Sequence, residues 1–298
     1  LAEADFDNQG TAKVKCYQIP QTNFYLMDTP GFDDTFLSDA EILKEISDAL
    51  MDAFHDEAEI QGALYVHPVV EARMRGSGRK NLIMFKKVLG AKGMKNCRLV
   101  TTKWTLVDEA LGAAREKELC ESNEFWAPLL KAGATTVRFH DSTESAMDVI
   151  RPLALGHSFE PQLVGEMRDG KRLDETEAGQ QVNDDINKAH KANAAQIKEL
   201  EKDMREALAK KDLEHAALLK EETKELLAKV KKLEEGKKII SQPPMPVEKR
   251  SGAAKFGRWI ARTAAITAAG ALTIYSGGLL APHGAMLYLA TEQALQDA

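Results

Sequence analysis

Cysteine is scarce: three residues, Cys16, Cys97 and Cys120, lie far apart in 298 and form no C-x-x-C pair. That spacing excludes a disulfide framework and a thiolate zinc cluster, and it points to a reducing, cytoplasmic compartment. Positive charge is not in excess either. The formal net charge is −6, so nucleic acid finds no overall basic field to bind. Glycine and proline are too few for a disordered polymer, while a 44% hydrophobic content supplies a folded core. No G-x-x-x-x-G-K-[ST] run occurs anywhere, so the chain lacks the glycine loop and lysine that grip a triphosphate in that manner. No signal peptide opens the sequence, and no initiator Met precedes Leu1, from which we expect a fragment of a longer reading frame.

Over residues 11–155, short apolar runs alternate with longer amphipathic segments, the pattern of an α/β domain with a largely parallel sheet. Residues 13–19 alternate polar and apolar, and Pro20-Gln21-Thr22-Asn23 turns them into a second strand ending at Asp28, an antiparallel hairpin. Ser38 and Glu41 have capping-box spacing before a helix with Ile42, Ile46, Leu50 and Phe54 on one face. Strands follow at 62–67, 97–101 and 135–139, with helices at 79–89, 107–120 and 125–132 between them. Asp141 and Glu144 offer a second capping box for a last helix carrying Ala146, Val149, Ile150 and Leu153.

Beyond residue 155 the organisation changes. Gly165, Gly170 and Gly179 punctuate a polar stretch, 156–180, read as a linker. Residues 181–238 are helical, with Asn193, Ile197, Leu200, Met204 and Ala207 on one a/d seam and Ala216, Leu219, Thr223, Leu226, Val230 and Leu233 on another in shifted phase. The phase change near 210–214 marks a stutter or a hairpin turn. Either the helix packs back on its own domain or it forms a coiled coil, within the chain or between chains. A proline-rich linker at 239–251 ends it. Residues 252–298 form a final segment, of which 263–291 hold no Asp, Glu, Lys or Arg and are rich in Ala and Gly. Two readings stand for it: small-residue helices packed on a partner or on the α/β domain, or a membrane-associated segment preceded by Lys249, Arg250, Lys255, Arg258 and Arg262.

Chemistry concentrates at Asp28-Thr29-Pro30-Gly31. A strand carries the aspartate to its end, where the carboxylate can hold the water shell of a nucleotide-bound Mg²⁺, and glycine lets a bare amide approach a γ-phosphate. With it go Gly62-Ala63-Leu64-Tyr65-Val66-His67; Arg73-Met74 and then Asn81; Asn96-Cys97-Arg98-Leu99-Val100-Thr101-Thr102-Lys103-Trp104; Phe125-Trp126; and Ser145-Ala146. Together these stretches resemble the G domain of the septin-related, immunity-associated GTPases (the avirulence-induced family), most of all its fungal-type members. The resemblance covers about half the chain, residues 11–155.

It implies an incomplete P-loop GTPase-like, mostly parallel sheet lacking its first strand, its phosphate loop and its first helix. It further implies GTP or GDP and Mg²⁺ as ligands once a phosphate loop is supplied, and a homo-oligomer formed through the G domain or the coiled coil. On that resemblance Asp28 reaches Mg²⁺ through water, Thr11 falls at the first-switch threonine, Gly31 offers the γ-phosphate amide, Thr102 and Lys103 lie at the base site, and His140 stacks on the purine. Catalytic residues stay unassigned; Arg73, Arg75 and Arg79 are either an arginine-finger run or a solvated loop. Where a guanine-binding aspartate is expected the chain has Thr105, and the nearest acid is Asp108. A hydroxyl cannot accept two charge-assisted bonds, so base discrimination is expected to weaken. The competing expectation is a pseudo-GTPase scaffold that works through its helical tail or a membrane and turns over no nucleotide.

Overall fold

The computed structural model describes residues 13–19, 22–32, 37–71, 76–243 and 285–292. The architecture is mixed α/β. Strands β1 (Lys15–Gln18) and β2 (Phe24–Thr29) form an antiparallel hairpin with Cys16 opposite Met27. Helix α1 (Asp39–His55) starts where the sequence places it, because Ser38 accepts from the Glu41 amide while the Glu41 carboxylate accepts from the Ser38 amide. Its inner face sets Ile42, Leu43, Ile46 and Leu50 wholly out of water, each contributing about 1.5–3 kcal/mol. Strand β3 (Ala58–Pro68), α2 (Gly76–Gly93), β4 (Cys97–Thr102), α3 (Glu109–Glu121), α4 (Ala127–Lys131), β5 (Thr135–Arg138) and α5 (Thr143–Ala154) follow in turn.

The sheet order is β1-β2-β6-β3-β4-β5, and its interior holds a surprise. Strand β6 (Ala285–Glu292) comes from the far end of the chain and lies between β2 and β3, antiparallel to both. Three of the five strand pairings are therefore antiparallel and only β3–β4 and β4–β5 are parallel. This corrects the expectation of a mostly parallel sheet. Strands β2 to β5 do share one direction, but the insertion of β6 removes the parallel pairing between β2 and β3. The strand position expected to stand open is filled, and residues 285–292 are strand where a helical segment was expected. Residues 252–284 and 293–298 lie outside the described residues.

Helices cover both faces. On one, α1 and α2 pack with Leu163 and Val164 of α6 (Gln162–Arg168), Leu173 of a single 3₁₀ turn (Leu173–Glu175), and Ala178, Val182 and Ile186 of α7 (Glu177–Ala209). Residues 156–180 are thus no linker: their apolar side chains complete the core beneath α1 and α2. On the other face α5 lays Ala146, Val149, Ile150 and Leu153 over Leu64, Val66 and Val100. Gly62 makes room for it, since a Cβ there would meet Leu153 Cδ1 at 2.6 Å. Helix α5 is capped by Ser142, whose hydroxyl accepts from the Ser145 amide, and not by Asp141. Asp141 instead takes φ 53°, turning the chain one residue later than the capping-box spacing implied.

Helix α7 and helix α8 (Leu213–Ile240) fold back on each other across a turn at Lys210, Lys211 and Asp212, with Lys211 at φ 61°. Leu200, Ala207, Ala216, Leu219 and Leu226 bury one another along the seam. The end of α8 returns to the domain, where Ile240 is fully buried and Gly236 lies against Ala40 and Ile186. Because the seam is filled within the chain, pairing between chains along the same residues would require the hairpin to open. Among the described residues no helix is long and apolar enough to cross a membrane.

Two tests follow from this packing. A Cβ on Gly179 would sit 1.8 Å from the Leu173 carbonyl oxygen, which is backbone and cannot move aside. Gly179→Ala should cost at least about 3 kcal/mol in urea unfolding, the upper range for overpacking; a loss below 1 kcal/mol would show that the joint of α6 and α7 is loose. Burial also holds the Cys97 thiol and the Tyr65 phenol well above their ordinary ranges, and Tyr65 donates to the Gly78 carbonyl at 3.1 Å. The unfolded chain ionises both while the folded chain keeps them neutral. Stability is therefore unaffected by these groups below about pH 8 and falls progressively as pH rises past their unfolded values of about 8.5 and 10. A urea midpoint that stays constant from pH 8 to 10.5 would contradict this.

Candidate functional site

Strands β2, β3, β4 and β5 deliver their carboxyl ends toward the same edge of the sheet, yet not at one level. In register Asp28 pairs across β6 with the level of Leu64, and Leu64 pairs with Arg98. Thr102 lies four residues further on. Three strand spacings of about 4.8 Å separate β2 from β4, so the edge carries two groups of residues.

The first group is the end of β2. Asp28 is its penultimate residue and is 6% exposed; Thr29 and Phe32 are buried more deeply still. Alternation places Asp28 on the sheet face of Phe24 and Leu26. Tyr17 of β1 shares that face, and its phenol is raised chiefly by burial and next by the Asp28 charge. Gly31 follows the strand after Pro30 and is buried. Strand β6 runs alongside with Leu287 opposite Asp28 and Met286 opposite Thr29. Thr11, Arg73 and Arg75 lie outside the described residues. Arg79 is on the exposed side of α2, 3.3 Å from Glu124, an ion pair of two mostly solvated groups.

The second group surrounds the end of β4 and is bound together by charge. Thr102 ends the strand; its carbonyl accepts from the Val69 amide at 2.9 Å, while its buried hydroxyl finds no hydrogen-bond partner among the described residues. Lys103 then takes a left-handed backbone, φ 61° and ψ 35°, an uncommon conformation for a residue with a side chain and a mark of local constraint. Trp104 folds inward. Its indole N–H donates to the Thr101 carbonyl at 3.2 Å and the Thr101 hydroxyl at 3.1 Å, and its ring lies under the Arg138 guanidinium at 4.0 Å. Gly112 of α3 is what lets the ring in, since a Cβ there would approach Trp104 Cζ3 to 2.8 Å. Trp104 is thus a core residue with a capped face, and a base cannot use that face.

Arg138 is the hub. It donates from Nε at 2.9 Å and from a terminal nitrogen at 2.6 Å to one oxygen of Glu116, and from its other terminal nitrogen at 2.6 Å to Glu109. The second Glu116 oxygen accepts from the Thr101 hydroxyl at 2.9 Å. The Glu116 bond is the first reason that the Arg138 pKa is raised. Sequence reading missed Glu109 and Glu116; the only signal was their seven-residue spacing, which sets both on one side of α3. Asp108, the nearest acid to the empty aspartate position, is spent as the cap of α3, accepting from the Ala110 and Leu111 amides. Thr105 is exposed. His140 is exposed too, 6.1 Å from the Trp104 ring centre and tilted by 44°, with its amide donating to the Ser145 hydroxyl.

The structure therefore brings Thr102, Lys103 and His140 to one place and holds Asp28 and Gly31 at another. Between them β3 ends in Pro68, and Arg115 of α3 donates to the Val69 and Val70 carbonyls beyond it, tying that loop to the second group. A scan against profiles of known protein families gives no match, and a search of curated proteins gives none either.

Glu116→Ala should cost about 1.5 kcal/mol, near the low end for bonds to charged groups because a third of the Arg138 side chain stays in water. Glu109→Ala should change stability by less than about 0.5 kcal/mol, its carboxylate being mostly solvated. Chemical denaturation of both variants checks the contrast. Equal losses would show that the bond to Glu116 has no special weight.

Proposed function

We propose that this chain is the nucleotide-binding body of a GTPase-like protein, related to the septin-related, immunity-associated GTPases, that takes GTP with Mg²⁺ once a phosphate loop completes the site. The observation that carries this reading is the placement of Asp28-Thr29-Pro30-Gly31 and of Thr102-Lys103 at the carboxyl ends of co-directional strands in one α/β sheet, the edge where such sheets bind ligands. Asp28 would hold the magnesium water shell and the Gly31 amide the γ-phosphate. Lys103 and His140 would flank the base. The fit is partial. The Asp28 carboxylate is buried and β6 runs beside it, Asp108 is committed to its helix, and no free carboxylate among the described residues stands where the base edge would be read. These residues support weak affinity and little discrimination between purines.

A second reading, a scaffold without turnover, is favoured by one observation: the central strand position is filled by the chain's own β6. The two readings part in a nitrogen–proton correlation titration of the 298-residue chain. With GTP and Mg²⁺ at up to about 10 mM, the amides of Gly31, Lys103 and His140 should shift with a dissociation constant weaker than about 1 mM, since the phosphate loop's several charge-assisted bonds are lacking. Asp28→Asn should abolish the magnesium dependence of the Gly31 shift. If no amide at either group moves at 10 mM, the nucleotide reading fails and the scaffold stands.

A further inference from the structure

The strand that joins the two halves of the sheet is separated in sequence from the end of α8 by residues 241–284. It opposes the direction of its neighbours β2 and β3, which run parallel to each other. Its pairing with β3 slips between Ile60 and Gly62, an irregularity that interrupts the ladder. Residues 285–291, Ala-Met-Leu-Tyr-Leu-Ala-Thr, contain no charge, glycine or proline. Recognition of such a strand takes its affinity from main-chain hydrogen bonds, which form in either direction, and its selectivity from alternate side chains.

We propose that the slot between β2 and β3 is a strand-acceptor site, that β6 is its exchangeable internal occupant, and that its external ligand is an extended, charge-poor segment of another polypeptide. The slot is never left empty, because its loss would strand the backbone groups of β2 and β3 on both sides; one strand leaves as another enters. Direction then matters. β6 presents its amino end with Ala285 opposite Val66 and Met286 opposite Thr29. A strand entering parallel to β2 and β3 would bring its carboxyl end, and the turn after it, to that same place beside Gly31. Occupancy by β6 and completion of the rim by such a turn exclude each other. This last step rests on the nucleotide reading, whereas strand exchange itself does not.

A biotinylated peptide of residues 285–292, extended by solubilising lysines, tests the exchange on the full chain. A separation of this length along the chain corresponds to an effective concentration on the order of 1 mM for β6, so about a tenth of the chains should be captured at roughly 100 µM peptide. A scrambled peptide should capture at least about tenfold fewer. In a chain carrying Leu64→Cys and Leu287→Cys, which face each other in register, oxidation should abolish capture and reduction should restore it. Hydrogen exchange of the unmodified chain gives a second readout: the amides of 286–291 should exchange at least about tenfold faster than those of β4. Capture no better than scrambled peptide, capture by the oxidised chain, or equal protection of β6 and β4 overturns the proposal. Capture without any response to GTP would leave the acceptor site standing and remove the nucleotide reading.

Discussion

Backbone pairing of β6 with both β2 and β3 is the constraint on which the rest of the molecule depends. Without that strand the sheet divides into a two-stranded hairpin and a three-stranded parallel unit. An isolated hairpin is marginal at best in water, and β1 has little core of its own, with only Cys16 buried among its four residues. The hairpin carries Asp28, so the position of that carboxylate relative to Lys103 is fixed through β6. Helix α1 reinforces the joint by sharing one apolar core with Met27 and Tyr65, but apolar contacts do not set register. Register comes from hydrogen bonds and alternation, and a slip of one residue in β6 would turn Asp28 against a different partner.

The elements that could be read in the sequence are those whose signal is local. The capping box at Ser38, the alternation over residues 13–19 and the apolar run at 62–67 each express a preference that tertiary packing then endorses. What could not be read depends on distant partners. Residues 285–291 form a charge-free run in which no two-residue alternation tells a strand from a helix. Leu, Met and Ala favour helix intrinsically; only the slot makes this segment a strand. Gly179 was read as punctuation, yet it is helical, and it is glycine because the Leu173 carbonyl occupies the space of a side chain. Ser142 displaced Asp141 as a cap by one residue because Asp141 takes the turn itself.

The same division applies to the candidate site. That Asp28 and Thr102 stand at strand ends, with Gly31 and Lys103 in the segments after them, was legible because a strand end followed by a turn is a local pattern. The network of Arg138 with Glu109, Glu116 and Thr101 joins a strand to a helix more than twenty residues earlier, and nothing in the spacing predicts which arginine meets which glutamate. Its presence changes what the neighbours can do. Trp104 loses one face to the guanidinium and its N–H to Thr101, and is removed from the set of groups a base could meet. His140 keeps its exposure and so remains the aromatic group at that end.

The two ends of the rim thus differ in how they are prepared. At β4 and β5 Arg138, Glu116, Glu109 and Thr101 are already bonded to one another, and the left-handed turn at Lys103 is held by the strand before it and the helix after it. That end pays little reorganisation to meet a ligand. At β2 the carboxylate is buried beside a strand that comes from elsewhere in the sequence, so its availability depends on what fills the neighbouring slot. An affinity measured for the whole rim is the intrinsic affinity divided by the inverse of the competent fraction, and a slot held by β6 lowers that fraction. Under the proposed reading, the occupancy of the slot therefore governs ligand binding more strongly than any single rim side chain, because Thr102, Lys103 and His140 stand in place whichever strand lies between β2 and β3, and Asp28 does not act alone.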